Sequence, residues 1–200
     1  MKGCQPISDE DRDRVLSHML AHNELRLLVI FTIGLCTGFR ISELLSLDVG
    51  SVYDVTHSKC WGTASVRKEN TKKKIEGRTH SLNTTTLKYL TDWVERLKKT
   101  KDFGPHLPLF PSTKKNKTGT KAVQRKCVYA LFKILFNEIG IKFTGLHFMR
   151  KTAAKKIYDK SNKDIMMVKG FLGHKNLNST GYYLSSMGDD STKHIIESMF

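Results

Sequence analysis

The chain has 200 residues, of which 39% are hydrophobic, so it is long enough for one domain with a buried core. Its formal net charge is +15, and lysine pairs and triplets are spread over the whole sequence rather than gathered in a tail. So high a positive charge is consistent with a solubilising surface, but it favours a nucleic acid as partner, without separating DNA from RNA.

Cysteine spacing and hydropathy exclude several further classes. Four cysteines occur without a C-x-x-C pair, which fits neither a zinc-binding pattern nor a disulfide framework and favours reduced thiols in a cytoplasmic protein. The longest apolar run, residues 27–36, is too short to span a bilayer, so we expect no membrane partner.

Three helices are predicted in the first fifty residues, because apolar residues recur at helical spacing after polar capping residues. Gly38 ends the second helix, since glycine favours the left-handed backbone that follows a helix. The predicted spans are 9–22 with a cap at Ser8 or Asp9, 24–36 with a cap at Asn23, and 40–47.

The remainder of the sequence predicts a small sheet and further helices. Short apolar runs over 49–83 are broken by polar residues and glycines, which predicts a three-stranded antiparallel sheet whose last turn is the basic segment 67–77. The fold class is therefore α+β and mostly helical. The later predicted helices are one capped by Asn83 or Thr84, one from Thr120 to Gly140, and four short ones over 147–160, 164–171, 178–184 and 191–199, with a loop over 101–119.

Two stretches of the sequence concentrate groups that suit a phosphate. In the first, Arg40 and Glu43 are three residues apart, so a helix places them on one face and the acid can hold the guanidinium. In the second, 145–184, His147 and Arg150 have the same spacing, and a Leu-Gly-His turn and two tyrosines follow.

Together these groups can break a phosphodiester bond without a metal ion. Arginine binds phosphate through two N–H groups and stays protonated, so Arg40 and Arg150 can stabilise the added charge of the transition state. His147 and His174 can donate hydrogen bonds or move protons near neutral pH. A tyrosine in such a pocket can attack phosphorus and form a covalent phosphotyrosine. For any one of these residues alone, a surface charge or a core position is the simpler interpretation.

The pattern resembles the tyrosine recombinase (phage integrase) family, whose catalytic domain carries three ordered sequence boxes. They correspond here to Thr37–Leu44 (TGFRISEL), to Gly145–Thr152 (GLHFMRKT), and to a Leu-Gly-His followed by eight residues and Tyr183. Phe110–Ser112 resembles a further segment of the family. The resemblance covers about residues 7–185 and implies the fold of that catalytic domain.

The resemblance also implies a role for each matching residue. Arg40 and Arg150, joined by His174, are expected to clamp the scissile phosphate, with Glu43 supporting Arg40. His147 assists proton transfer around the nucleophile.

The nucleophile and the general acid are also assigned by the resemblance. Tyr183 lies where the family places its nucleophile, and Tyr182 is the second choice. The catalytic lysine that protonates the leaving 5′ oxygen corresponds to Lys73, counted back from the strand that begins at Arg78. Lys72 and Lys74 are alternatives because this hairpin varies in length.

The implied activity is site-specific cleavage and rejoining of double-stranded DNA through a 3′-phosphotyrosyl link, without ATP, metal or another cofactor. A homo-oligomer, a tetramer on DNA, and accessory DNA-bending proteins are the implied partners. We expect residues 1–200 to form one catalytic domain without a core-binding domain, as in a short natural member or a fragment. Residues 1–7 would be an N-terminal extension, and 186–200 a tail helix that docks on its own domain or on a neighbouring protomer.

Two other functions use part of the same pattern. A type IB topoisomerase has the same constellation but relaxes DNA without a partner site. A DNA-binding regulator with a decayed active site would bind DNA and never form a covalent link; retention of all five residues of the constellation argues against it.

Overall fold

In a computed structural model of the chain, residues 4–71, 76–113, 120–176, 178, 180, 181 and 184 are described. Within these ranges the fold is mostly helical with small antiparallel sheets, which confirms the predicted α+β class. The helices are α1 (Asp9–Ala21), α2 (Leu25–Thr37), α3 (Ile41–Leu44), α4 (Thr84–Lys98), α5 (Arg125–Glu138), α6 (Phe148–Lys160) and α7 (Ile165–Leu172). The strands are β1 (Tyr53–Asp54), β2 (Lys59–Cys60), β3 (Thr63–Val66) and β4 (Arg78–Ser81).

Helix α2 lies at the centre of the core. Ten of its thirteen residues are buried, and it packs against α1, α4 and α6, as expected for a helix that is apolar on most sides. Phenylalanine rings join α2, α5 and α6, with centroids 6.0 Å apart for Phe31 and Phe148 and 5.8 Å for Phe132 and Phe148. Such tilted and edge-on pairs add to the stabilisation from burial. This packing fixes the first turn of α6, from which Arg150 projects.

The predicted three-stranded sheet is wrong in detail, because the strands form two separate two-stranded ladders. β1 pairs with β2, and β3 pairs with β4. In the second ladder Thr63 lies opposite Ser81 at one end and Val66 lies opposite Arg78 at the other. Gly62, between β2 and β3, has a φ of +76°, which breaks the run of extended backbone. β4 nevertheless runs beside β3, and its half-buried residues Arg78 and His80 contact the end of α7 and Phe39.

Two predicted helix caps are confirmed, and each satisfies a backbone N–H of the first turn. Ser8 accepts from Asp11 N at 3.0 Å, and Asn83 accepts from Thr86 N at 2.8 Å. Asp164, the first residue of the helix predicted over 164–171, is a further cap that was not predicted, and it accepts from Met166 N at 2.7 Å.

The predicted cap of α2 is wrong. Asn23 adopts a left-handed φ of +56°, and Glu24 occupies the cap position without a side-chain hydrogen bond. Asparagine tolerates this backbone, so Asn23 turns the chain between α1 and α2 instead.

Two predicted helix boundaries are also wrong. The helix expected to begin at Thr120 begins at Arg125, because Lys121 O accepts from Ser112 N at 2.7 Å and the chain pairs with the loop before it. The helix predicted over 40–47 ends at Leu44: Ser46 N and Leu47 N bond three residues back, to Glu43 O at 3.2 Å and Leu44 O at 3.4 Å, and Leu47 O accepts from Leu109 N at 2.9 Å. At the start of α5 tertiary pairing replaces the local helical bonds, and after α3 the chain tightens into a turn and then pairs with Leu109.

After Asn176 the structure describes only residues 178, 180, 181 and 184. Residues 178, 180, 181 and 184 are helical, in agreement with the helix predicted over 178–184, whereas the predicted tail over 186–200 lies outside the described residues. Leu184 packs beside Ala154, Val168 and Leu172, in a small apolar cluster between α6 and α7. In the described ranges, every helix is too short or too polar to cross a membrane.

Candidate active site

The candidate site lies where the ends of several elements meet. Arg40 precedes α3, His147 precedes α6, Arg150 is in the first turn of α6, and His174 follows α7. The structure thus brings together five of the predicted site residues: Arg40 and Glu43 from one segment, and His147, Arg150 and His174 from a part of the sequence more than a hundred residues later.

Arg40 is held in one pose by Glu43. Gly38 ends α2 with a left-handed φ of +58°, after which Arg40 is extended with φ −65° and ψ 148°. The Arg40 backbone N–H donates to Glu43 Oε2 at 2.7 Å, and its Nη1 donates to Oε1 at 2.9 Å. The Arg40 side chain keeps 28% of its exposure, against 1% for Glu43, so it is fixed and still reachable from solvent.

Glu43 is ionised despite its burial. Burial raises the pKa of this carboxyl, but the hydrogen bonds from Arg40 and the charge of Arg78 outweigh that effect, and the net pKa is lowered. Oε2 of Glu43 also accepts a hydrogen bond from Arg78 Nη2. One buried carboxylate therefore compensates two guanidinium groups.

Arg150 forms the buried base of the site and is 1% exposed. Its Nη1 donates to Gly38 O, and its Nη2 donates to Leu172 O at 2.7 Å. The same Nη2 lies 3.2 Å from His174 Nε2. These bonds join the end of α2, the end of α7 and the first turn of α6 in one rigid arrangement, which is what a fixed phosphate clamp requires.

His174 is oriented by two contacts. A guanidinium has no acceptor atom, so Nε2 accepts from Arg150, and Nδ1 carries the proton and donates to Thr180 Oγ1 at 3.1 Å. Thr180 is completely buried, and its hydroxyl can also donate, so it can support either tautomer of the ring. His174 can thereby present a proton on Nε2 when a phosphate oxygen arrives.

The histidines of the site are neutral at pH 7. Burial, together with the charges of Arg150 and Arg40, lowers the pKa of His174 to about 4. The pKa of His147 is likewise lowered to about 4, by burial and by the positive charges of Arg150 and Arg40. A neutral imidazole at this position suits a proton acceptor beside a nucleophile.

Sequence reasoning missed Arg78, His80 and Thr180 as members of the site. Arg78 and His80 are two apart on β4 and so share one face of the strand. The His80 ring lies edge-on between Phe39 and Phe171, at centroid distances of 5.3 and 4.9 Å. The only signal in the sequence was that two polar residues alternate on one face of a strand, which is equally typical of a solvated face.

Several predicted site residues lie outside the described residues. These are Lys73 with its alternatives Lys72 and Lys74, and the nucleophile Tyr183 with its alternative Tyr182. Thr180 and Leu184, which flank the tyrosines in sequence, lie against the site and against the cluster between α6 and α7. Within the described ranges no group of three histidine, cysteine or acidic side chains is arranged to hold a metal ion.

Comparison with known proteins identifies the family. The model of the phage integrase family matches residues 7–188. The probable integrase/recombinase YoeC of Bacillus subtilis (strain 168) is 26% identical over 189 residues, which cover 94% of this chain and 93% of that protein.

Solved structures show the same fold. XerA recombinase superposes with a TM-score of 0.72 at 21% identity, over 96% of this chain and 64% of that one. XerH site-specific recombinase, in a post-cleavage complex with palindromic difH substrate, has a TM-score of 0.68 at 21% identity, over 89% and 48%. The chain thus spans less than two thirds of either. Because the family match covers most of its length, the chain belongs to the phage integrase family, as its three sequence boxes predict.

Proposed function

We propose that the chain is a site-specific tyrosine recombinase, which cleaves and rejoins double-stranded DNA through a 3′-phosphotyrosyl intermediate at Tyr183. The observation that carries this proposal is that Arg40, Arg150 and His174 lie together: Arg150 Nη2 is 3.2 Å from His174 Nε2, and the charges of Arg150 and Arg40 both lower the pKa of His174. We infer that a single phosphate group binds these three side chains at once, because Arg40 and the half-buried His174 are accessible beside the buried Arg150.

The proposed reaction has two phosphoryl transfers. The Tyr183 oxygen attacks phosphorus and forms a P–O bond as the bond to the 5′ oxygen breaks. The tyrosine proton passes to His147, whose lowered pKa of about 4 keeps it neutral before the reaction, and Lys73 protonates the 5′ oxygen. The 5′ hydroxyl of a partner strand then attacks the phosphotyrosine and releases Tyr183.

This scheme needs neither ATP nor a metal ion. The phosphotyrosyl link conserves the free energy of the broken phosphodiester, so rejoining requires no further input. The two guanidinium groups supply the positive charge that stabilises the pentavalent transition state. The anion is thus stabilised by groups already held in place by Glu43, Gly38 and Leu172.

The proposed substrate is duplex DNA, with which the net charge of +15 is compatible. XerH was solved on its difH substrate and lambda integrase as a dimer on a core site, which supports DNA and an assembly of protomers as partners here. We propose a tetramer on DNA, with accessory DNA-bending proteins at some sites. Residues 1–200 would form one catalytic domain, in which 1–7 are an N-terminal extension and 186–200 a tail that docks on the same or a neighbouring protomer.

The test is capture of a covalent complex in the presence of EDTA. DNA that flanks the gene would be tiled in nicked duplexes, so that cleavage releases a short fragment and traps the protein on the strand. We expect a denaturant-resistant complex at a defined sequence with the wild type and with Tyr182→Phe, and none with Tyr183→Phe.

Two results would change the assignment. Trapping by Tyr183→Phe but not by Tyr182→Phe would move the nucleophile to Tyr182. Sequence-specific binding without any covalent complex would favour a regulator, and relaxation of plasmids that lack a partner site would favour a type IB topoisomerase.

A further inference from the structure

Arg78 contacts the supports of both phosphate-binding arginines. Its Nη2 donates to Glu43 Oε2, the carboxylate that also holds Arg40. Its Nη1 donates to Leu172 O at 2.7 Å, and Arg150 Nη2 donates to the same carbonyl oxygen at 2.7 Å. One guanidinium on β4 therefore bridges the two networks that orient Arg40 and Arg150.

The surroundings of Arg78 fit this side chain closely. Its guanidinium lies over the Phe39 ring, 5.3 Å from the centroid, and its side chain is 14% exposed. A Cβ added to Gly173 would lie 2.8 Å from Arg78 Cδ, so the glycine of the Leu-Gly-His turn leaves the space that Arg78 occupies. Only a planar fork with several donors reaches the Glu43 carboxylate and the Leu172 carbonyl together.

On the basis of the proposed function, we propose that Arg78 is a positioning residue of the phosphate site. It couples the Arg40–Glu43 pair to the carbonyl that orients Arg150 and the turn that carries His174. It acts through these groups rather than by contact with DNA. Loss of Arg78 loosens the clamp on the non-bridging oxygens and leaves the protonation of the leaving group unaffected.

Loss of such a supporting contact typically lowers activity about 10- to 100-fold. We expect that decrease in the single-turnover cleavage rate of Arg78→Met. Arg78→Lys keeps a positive charge near Glu43, but its single ammonium group cannot span both acceptors, so we expect an intermediate rate. Arg96→Met is the matched control, because the Arg96 guanidinium is held on α4 by Asn23 at 2.6 Å.

Two modified substrates separate positioning from a general loss of structure. A methylphosphonate at the scissile position replaces a charged non-bridging oxygen with a neutral methyl group, so a loosened cationic clamp matters less. A 5′-bridging phosphorothiolate provides a leaving group that needs no proton, so it compensates for a missing general acid. Lys73→Ala is the reference for that second behaviour.

We expect the rate defect of Arg78→Met to shrink at least fivefold with the methylphosphonate and to persist with the phosphorothiolate. Lys73→Ala should show the reverse: its rate defect should persist with the methylphosphonate and shrink with the phosphorothiolate. Equal defects on all substrates would reduce Arg78 to a structural role and overturn the inference. Rescue by the phosphorothiolate would also overturn it, because Arg78 would then act with Lys73 in protonation of the leaving oxygen.

If Arg78→Met does not fold, Arg78→Lys is tested on the same substrates. Failure of the wild type to form any covalent complex would refute the proposed function itself.

Discussion

Replacement of Glu43 by glutamine tests whether the phosphate site is held together by one buried charge. The substitution keeps the size of the side chain and removes the negative charge between Arg40 and Arg78. Removal of one partner from a buried ion pair typically costs about 3–5 kcal/mol, because the other charge stays buried without compensation. Since folded domains are stable by about 5–15 kcal/mol, we expect Glu43→Gln to fold with much reduced stability.

In a chain of this length each kcal/mol shifts the midpoint of thermal unfolding by about 2–4 °C, so the expected decrease is about 6–20 °C. Circular dichroism at neutral pH measures it. Glu95→Gln is the control, because Glu95 forms the same i, i+3 contact with Lys98 at 2.7 Å but is 55% exposed. An exposed pair contributes about 0–1 kcal/mol, so the control should shift the midpoint by no more than about 4 °C.

The effect of Glu43 must also depend on pH. Its pKa in the folded protein is lowered from the ordinary value of 4.5, so its stabilisation is complete above that value and decreases as pH falls through the folded pKa. The difference between the wild type and Glu43→Gln should therefore be full at pH 7 and decrease below about pH 4.5. Equal shifts for Glu43→Gln and Glu95→Gln, or a pH-independent difference, would refute this reasoning.

Three further predictions follow from single contacts of the site. Thr180→Val removes the partner of His174 Nδ1 and should lower the cleavage rate about tenfold, whereas Thr180→Ser should stay near the wild type, as measured in single turnovers. Because the pKa values of both site histidines are about 4, these side chains stay neutral down to about pH 5, and the second-order cleavage rate should decrease only when the pH is lowered further; a midpoint near pH 6.5 would contradict this. Gly38→Ala places a Cβ 2.7 Å from the Phe171 ring at a φ of +58°, and should lower the unfolding midpoint more than Gly140→Ala, where φ is +67° and nothing lies within 4 Å.

The part of the site that is encoded locally could be predicted from the sequence. Arg40 and Glu43 are three residues apart, as are His147 and Arg150, and Gly173 supplies the turn before His174. These short spacings determine which way side chains point relative to their own helix or turn. The three boxes then indicated that the segments meet.

The contacts between segments could not be predicted. Arg78 belongs to the site only because β4 lies beside the ends of α3 and α7, and no local pattern encodes that position. The start of α5 was misplaced for the same reason, since Ser112 pairs with Lys121 and this pairing removes five residues from the expected helix. Long-range pairing overrides local helix propensity in such places.

The most direct test of the central claim is mass spectrometry of the trapped protein–DNA complex after nuclease and trypsin digestion. The peptide from Asn176 to Lys193 contains both tyrosines, and its fragment ions distinguish them. We predict a nucleotide remnant linked through a 3′ phosphate to Tyr183, formed in EDTA. Cleaved DNA with this peptide unmodified would contradict the account, since the DNA would then be linked to a residue outside 176–193 or not linked to the protein at all.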